Sequence, residues 1–256
     1  MADPDILARE LEHHEKLYAG FAQSHFARPA VRVLRHHSVA RILHLTGAGK
    51  NSRVLSLGCG IGDTELLLAP YVAEVVGVDL SPAAVRQARA DADRLGIRNA
   101  RFERGSDAEG RFDVVMAVFF LHHLSDAALA ELPRHLQERM ETGGVFYSLD
   151  PSRRRLSGAV GRLLIPGMMK RYQTPDEREL DPEQTCSLFR DAGFDARVEM
   201  YDFGSSPLAG LLPGWAWGYR TARIVDDWLL KAAPLRRRGS NFEIVARRLP
   251  HQPPVP

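Results

Sequence analysis

Three glycines at alternate positions carry the sharpest chemistry in this sequence. In Val54-Leu55-Ser56-Leu57-Gly58-Cys59-Gly60-Ile61-Gly62-Asp63-Thr64-Glu65 an apolar run leads into Gly58, Gly60 and Gly62 and then into a helix start. Residues without a Cβ permit a tight turn and let backbone approach a ligand, while the free N–H groups of the next helix favour an anionic ligand group. The following apolar run, Val75-Val76-Gly77-Val78, ends in Asp79, 17 residues beyond Gly62, where a carboxylate can accept both hydroxyls of a ribose. Strand, loop, helix, strand and terminal acid in this order are far more specific than a glycine loop alone. A second feature is His122-His123, directly after the apolar run 113–118. An imidazole titrating near neutrality suits deprotonation of a hydroxyl, a phenol or an acidic carbon. Two adjacent side chains seldom face one pocket, so one histidine is expected to cap or pack under the next helix, and His123 is the preferred base.

The elements that must position these groups alternate. Residues 5–47 read as helical, with Pro29 starting a second helix in which Val31, Val33, Leu34, Val39, Ile42 and Leu43 recur at helical spacing. Short β-rich runs follow at Val54–Leu57, Val75–Val78, Ala100–Phe102, Asp113–Val118 and Val145–Leu149, with helices near 64–70, 82–95 and 126–140. That alternation predicts an α/β fold, a doubly wound parallel sheet with helices on both faces. A helix over 181–193 and strands at Ala196–Tyr201 and Phe242–Ala246 complete the pattern, the last two separated by a long insertion. The expected division is a helical cover (1–50), a ligand-binding core (51–150), a C-terminal part of the sheet with a helical cap (151–249) and a disordered proline-rich tail (250–256).

Composition narrows the class without naming a partner. The 256 residues are 45% hydrophobic and 26% charged, which excludes disorder, collagen and coiled coil as descriptions of the whole. Lys plus Arg number 34 against 32 acids, too even a balance to indicate a nucleic-acid partner. Cys59 and Cys186 stand far apart without metal-ligand spacing, so neither a disulfide framework nor a metal site is expected. The acidic N-terminus lacks a signal-peptide apolar stretch and no run approaches a transmembrane length, so a cytoplasmic location is expected.

A dinucleotide loop would place its third glycine at Asp63, and no Tyr-x-x-x-Lys pair supports hydride transfer. The spacing Gly58-x-Gly60-x-Gly62 with Asp79 resembles instead the nucleotide-binding motif of class I S-adenosylmethionine-dependent methyltransferases. The resemblance extends over residues 53–150 and implies a seven-stranded, mostly parallel sheet. It also implies S-adenosyl-L-methionine as cofactor and S-adenosyl-L-homocysteine as product. In that family the loop holds the methionine end and the acid the ribose, which implies a cofactor set of Gly58, Cys59, Gly60, Gly62, Asp63, Asp79, Leu80 and Val118. Phe102-Glu103-Arg104-Gly105-Ser106-Asp107 resembles the third-strand end, so Ser106 or Asp107 would reach the adenine amino group. Phe112-Asp113-Val114-Val115 resembles the fourth strand and Thr142-Gly143-Gly144 the turn before the fifth. The departure is Ser56, which stands where the family usually carries an acid. The cofactor's ammonium then falls to Asp63 or to backbone carbonyls.

The acceptor is less legible. After the fourth strand stands Ala117-Val118-Phe119-Phe120-Leu121, without the Asn/Asp-Pro-Pro-aromatic clamp used on nucleobase amino groups, so nucleic acid is disfavoured. Phe119, with Tyr18 and Trp217 from covering helices, is expected to line a pocket for a small, apolar or lipid-like acceptor methylated at oxygen or carbon. Trp215, Trp217 and Trp228 all fall in the insertion. In a helix over 216–232, Trp217, Thr221, Ile224 and Trp228 share one face, opposite Arg220, Arg223, Asp227 and Lys231. Such a helix is expected first to pack as a cover over the pocket, with a subunit interface through 211–232 or a membrane surface as the other possibilities. Alternatives to the enzyme are a non-catalytic cofactor-binding protein and a peripheral membrane-associated binding protein.

Overall fold

The computed structural model describes residues 27–155, 179–232 and 235–250. The expected helix over 5–28, with His13, His14 and Tyr18, lies outside these residues apart from its last two positions, as do 156–178 and the tail beyond 250.

Seven strands form one sheet: β1 (Arg53–Leu57), β2 (Glu74–Asp79), β3 (Ala100–Arg104), β4 (Phe112–Val118), β5 (Met140–Pro151), β6 (Phe194–Asp202) and β7 (Asn241–Arg248). Their spatial order is β3-β2-β1-β4-β5-β7-β6. The first five pair in parallel, and β7 runs antiparallel between β5 and β6. The sheet expected from the alternating pattern is therefore present, with the two late strands closing one edge.

Helix boundaries follow local chemistry. Helix α1 (Pro29–Thr46) opens with proline at its first position and ends where Gly47 turns left-handed at φ 72°. Helix α2 (Asp63–Leu68) follows the glycine loop. Helix α3 (Pro82–Leu95) is capped by Ser81, whose hydroxyl accepts the Ala84 N–H, and α4 (Asp126–Arg139) by Ser125 in the same way. In α5 (Pro182–Asp191) the Asp181 carboxylate accepts the N–H groups of Glu183 and Gln184. The insertion between β6 and β7 holds two more helices, α6 (Ser205–Leu211) and α7 (Ala216–Leu229).

Parallel strands buried on both faces present alternate residues to two cores. Leu55, Leu57, Val115, Ala117 and Phe146 pack against α4 and α5 through Leu129, Leu132, Leu136 and Phe189. Val54, Val114, Met116, Tyr147 and Leu149 pack on the other side with Leu34, Val39 and Ile42 of α1 and with Ala209 and Tyr219 of the insertion.

One expectation is reversed. Helix α7 was expected to bury Trp217, Ile224 and Trp228, yet these are exposed, and Gly218, Tyr219, Arg223 and Asp226 face inward. Polar bonding outweighs the apolar stripe. The Arg223 guanidinium donates to the Tyr201 carbonyl at 2.6 Å, and the Asp226 carboxylate accepts the N–H groups of Gly204 (3.0 Å) and Ser205 (2.8 Å). Buried charges bonded in this way lose less to desolvation than charges without a partner.

Candidate active site

Strand order reverses between β1 and β4, and in open α/β sheets the crevice beyond the carboxyl ends of such neighbours receives ligands. The loop after β1 carries the three glycines, all left-handed, with φ of 65° at Gly58, 52° at Gly60 and 76° at Gly62. Gly58 has a further reason to lack a side chain, because a Cβ there would lie 2.2 Å from the Phe120 ring. The chain after β4 is thus seated directly against the loop.

Asp79, at the end of β2, ties the loop to the next turn. One carboxylate oxygen accepts the Gly60 N–H at 2.8 Å and the other the Ser81 N–H at 2.8 Å. Each oxygen keeps a second lone pair, which is what a ribose diol requires. Leu80 beside it is exposed, and Cys59 is buried with its thiol pushed well above the ordinary range by burial.

At the other end of the loop the structure gathers charges that sequence spacing did not bring together. Arg35 of α1 pairs with Asp63 at 2.6 Å, and its guanidinium lies 5.8 Å from the centre of the Phe119 ring. Phe119 itself adopts φ 55°, a left-handed backbone that an aromatic residue rarely holds and that clusters at ligand sites. Ser56, which takes the place of the expected acid, donates its hydroxyl to Glu65 Oε1 at 2.6 Å. Glu65 is fully buried. Burial pushes its carboxyl up to about 7, the Ser56 bond pulling it down and the Asp63 charge adding to the rise. Its Oε2 has no hydrogen-bond partner among the described residues. A carboxylate from the first turn of α2 thus lies against Ser56, the position where the acid was expected. Sequence reasoning missed this because it compared position with position and not the i to i+9 contact across the loop.

Beyond β4 a short 3₁₀ turn, Leu121–His123, carries both histidines. His122 is buried, with Nδ1 2.9 Å from Asp150 Oδ1, and its backbone N–H also reaches that oxygen at 3.3 Å. Asp150, next to the last residue of β5, is fully buried; burial raises its carboxyl, while the His122 bonds draw it back down. The His123 ring lies against His122 with centroids 4.0 Å apart and is half-buried. His122, buried and bonded to Asp150, thus stands out as the oriented histidine, where the sequence favoured His123.

The remaining expected residues are placed as follows. Val118 and Phe119 are half-buried at the end of β4. Ser106 is exposed, whereas Asp107 is bound to α4: its Oδ2 receives Arg139 at 2.6 Å and lies 3.3 Å from His135. Trp217 is three-quarters exposed on the outer surface of α7. No group of three or more metal-ligating side chains occurs among the described residues.

The residues present fit the cofactor that the loop resemblance implies. An orphaned buried carboxylate oxygen at Glu65 and the Arg35–Asp63 pair suit an amino-acid end, and Asp79 suits a ribose. Comparison with known proteins agrees. A family model described as a methyltransferase domain matches residues 31–203. The uncharacterized methyltransferase YcgJ of Bacillus subtilis (strain 168) is 36% identical over 93 residues, which cover 34% of this chain and 37% of that protein. A ubiquinone biosynthesis O-methyltransferase of Methylobacterium sp. (strain 4-46) is 26% identical over 211 residues, covering 74% of this chain and 83% of its own length. Magnesium protoporphyrin IX methyltransferase of Synechocystis PCC 6803, solved with bound SAH, shares the fold at a TM-score of 0.63 and 16% identity, over 93% of this chain and 99% of that one. The chain belongs to the methyltransferase-domain family, with the seven-stranded class I architecture and S-adenosyl-L-methionine as its cofactor.

Proposed function

We propose that the protein transfers a methyl group from S-adenosylmethionine to an oxygen, or an acidic carbon, of a small apolar or lipid-like acceptor. The observation that carries this reading is the buried His122–Asp150 pair, on a turn whose Phe120 ring packs against the cofactor loop. A carboxylate on Nδ1 fixes the imidazole tautomer and leaves Nε2 as the proton acceptor, the arrangement of an oriented general base.

Bound S-adenosylmethionine supplies both the electrophilic carbon and the leaving group, so the protein's share is alignment, water exclusion and proton removal. Gly58, Gly60 and Gly62 let the backbone close on the amino-acid end, while Glu65 and Asp63 offer carboxylates to its ammonium and Arg35 a cation to its carboxylate. Asp79 would hold the ribose, Leu80 and Val118 would contact the adenosine, and Ser106 would offer its hydroxyl to the adenine amino group. Asp107, committed to Arg139, positions that loop. His122 takes the acceptor proton and Asp150 stabilises the imidazolium that forms. Phe119, held in its left-handed conformation beneath Arg35, offers an apolar wall to the acceptor.

The acceptor class is supported by what two similar proteins are named for, O-methyl transfer in ubiquinone biosynthesis and methylation of magnesium protoporphyrin IX. The test is release of S-adenosylhomocysteine from the full chain with catechol, with a long-chain alkyl catechol and with an adenine oligonucleotide. Turnover that favours the alkyl catechol and is lost in His122→Gln supports the reading. Turnover only on the oligonucleotide, or on none of the three, removes it.

A further inference from the structure

Helix α7 turns its apolar side chains to water. Trp217 is 75%, Trp228 73% and Ile224 70% exposed, with Trp215 ahead of the helix at 54%. At helical spacing Trp217, Ile224 and Trp228 form one stripe, continued by the exposed Val225. Its opposite side is fixed by the bonds of Arg223 to Tyr201 and of Asp226 to Gly204 and Ser205, so the stripe cannot rotate inward without breaking them. A contiguous aromatic patch held outward in this way marks an interaction surface.

Charge identifies the partner. The segment 215–238 holds six basic and two acidic residues. Asp226 is buried and Asp227 is paired with Arg223, whereas Arg220, Lys231, Arg236, Arg237 and Arg238 are exposed; Arg220 and Lys231, expected opposite the tryptophans, border the stripe, three residues after Trp217 and Trp228. A second copy meeting this face across a two-fold axis would bring like charges together. Indoles and an isoleucine framed by cations match the boundary of an anionic bilayer, where amphipathic rings sit at headgroup level and basic side chains meet lipid phosphates. No helix among the described residues is long and apolar enough to cross a membrane, so the contact is peripheral.

We propose that the α7 face docks on an anionic lipid surface, inserting Trp217, Ile224 and Trp228 and seating Arg220, Lys231 and Arg236–Arg238 on the headgroups. This docking stands independently of the methyl-transfer reading.

The chain's three tryptophans all lie at 215–228, so intrinsic tryptophan emission reports on this segment alone. The full chain is mixed with vesicles of phosphatidylcholine and with vesicles also containing phosphatidylglycerol. With the anionic vesicles the emission is expected to shift to the blue and the protein to float with the lipid, both effects weakening as salt is raised. Trp217→Ala with Trp228→Ala is expected to lower partitioning about tenfold or more, as is Arg236→Ser with Arg237→Ser and Arg238→Ser. Circular dichroism and S-adenosylhomocysteine affinity of these variants stay as in the parent. Three outcomes would overturn the proposal. One is equal or absent binding to the two vesicle types. Another is indole emission already shielded in buffer, before any lipid is added. The third is a dimer in light scattering that the tryptophan variant dissolves.

Discussion

His122 presents two donors to one atom: its Nδ1 and its own backbone N–H both reach Oδ1 of Asp150, at 2.9 and 3.3 Å. The double contact fixes the ring against β5 and leaves no freedom for the other tautomer. Replacing His122 by Gln is expected to lower kcat by about 100-fold or more, the share of a general base. Asp150→Asn is expected to lower kcat without removing the imidazole, since the amide no longer stabilises the charged ring. In both, calorimetric affinity for S-adenosylhomocysteine should stay unchanged; a parallel loss of affinity would make the pair a structural support and not a base.

Asp79 carries two backbone hydrogen bonds besides its role toward a ribose. Hydrogen bonds to charged groups contribute about 1.5–3 kcal/mol each. Asp79→Ala is therefore expected to weaken S-adenosylhomocysteine binding about 100-fold or more by titration calorimetry, and Asp79→Asn less. Unaltered affinity in the alanine variant would falsify the ribose assignment.

Glu65 makes stability fall as pH rises. Its folded value, pushed up to about 7, lies above the ordinary 4.5, so the folded state holds the proton more tightly than the unfolded chain. The stability that this proton contributes is fully present below about pH 4.5 and is lost as pH rises through about 7. On the order of 3 kcal/mol is at stake at full ionisation. Glu65→Gln is expected to flatten the fall in melting temperature between pH 5 and 8. The same variant should abolish any tightening of S-adenosylhomocysteine binding across pH 7, where the ionised carboxylate becomes available to the ligand's ammonium.

Gly58 is expected to tolerate no side chain. Alanine there meets both a left-handed φ of 65° and the Phe120 ring, a combined cost of about 2–4 kcal/mol in denaturant unfolding. Adding Phe120→Ala should recover the steric part only. A double variant no more stable than Gly58→Ala alone would place the whole cost in the backbone.

The sheet was readable because its signals are local. Short apolar runs broken by Gly, Asp and Pro put each of the seven strands in place, and Ser81-Pro82 and Gly96 bracket α3 at the expected residues. Strand edges were read short where polar residues continue a ladder, as in β5, whose Met140–Gly144 stretch gives no apolar alternation. The loop and Asp79 were readable for the same reason as the strands. What could not be read is what folding brings together from afar: Arg35 onto Asp63, Asp150 behind His122, and Ser56 onto Glu65. Helix α7 misled for a physical reason. Amphipathicity marks which face differs from the other, and here hydrogen-bonded Arg223 and Asp226 decide which one goes inside.

The bridge that Asp79 makes between Gly60 and Ser81 bears on how binding free energy is spent. Because both oxygens are already anchored to backbone, the cradle's geometry is set during folding, before any ligand arrives. A nucleoside entering such a preorganised site orders little of the chain, so less of its contact energy is consumed in immobilising loops.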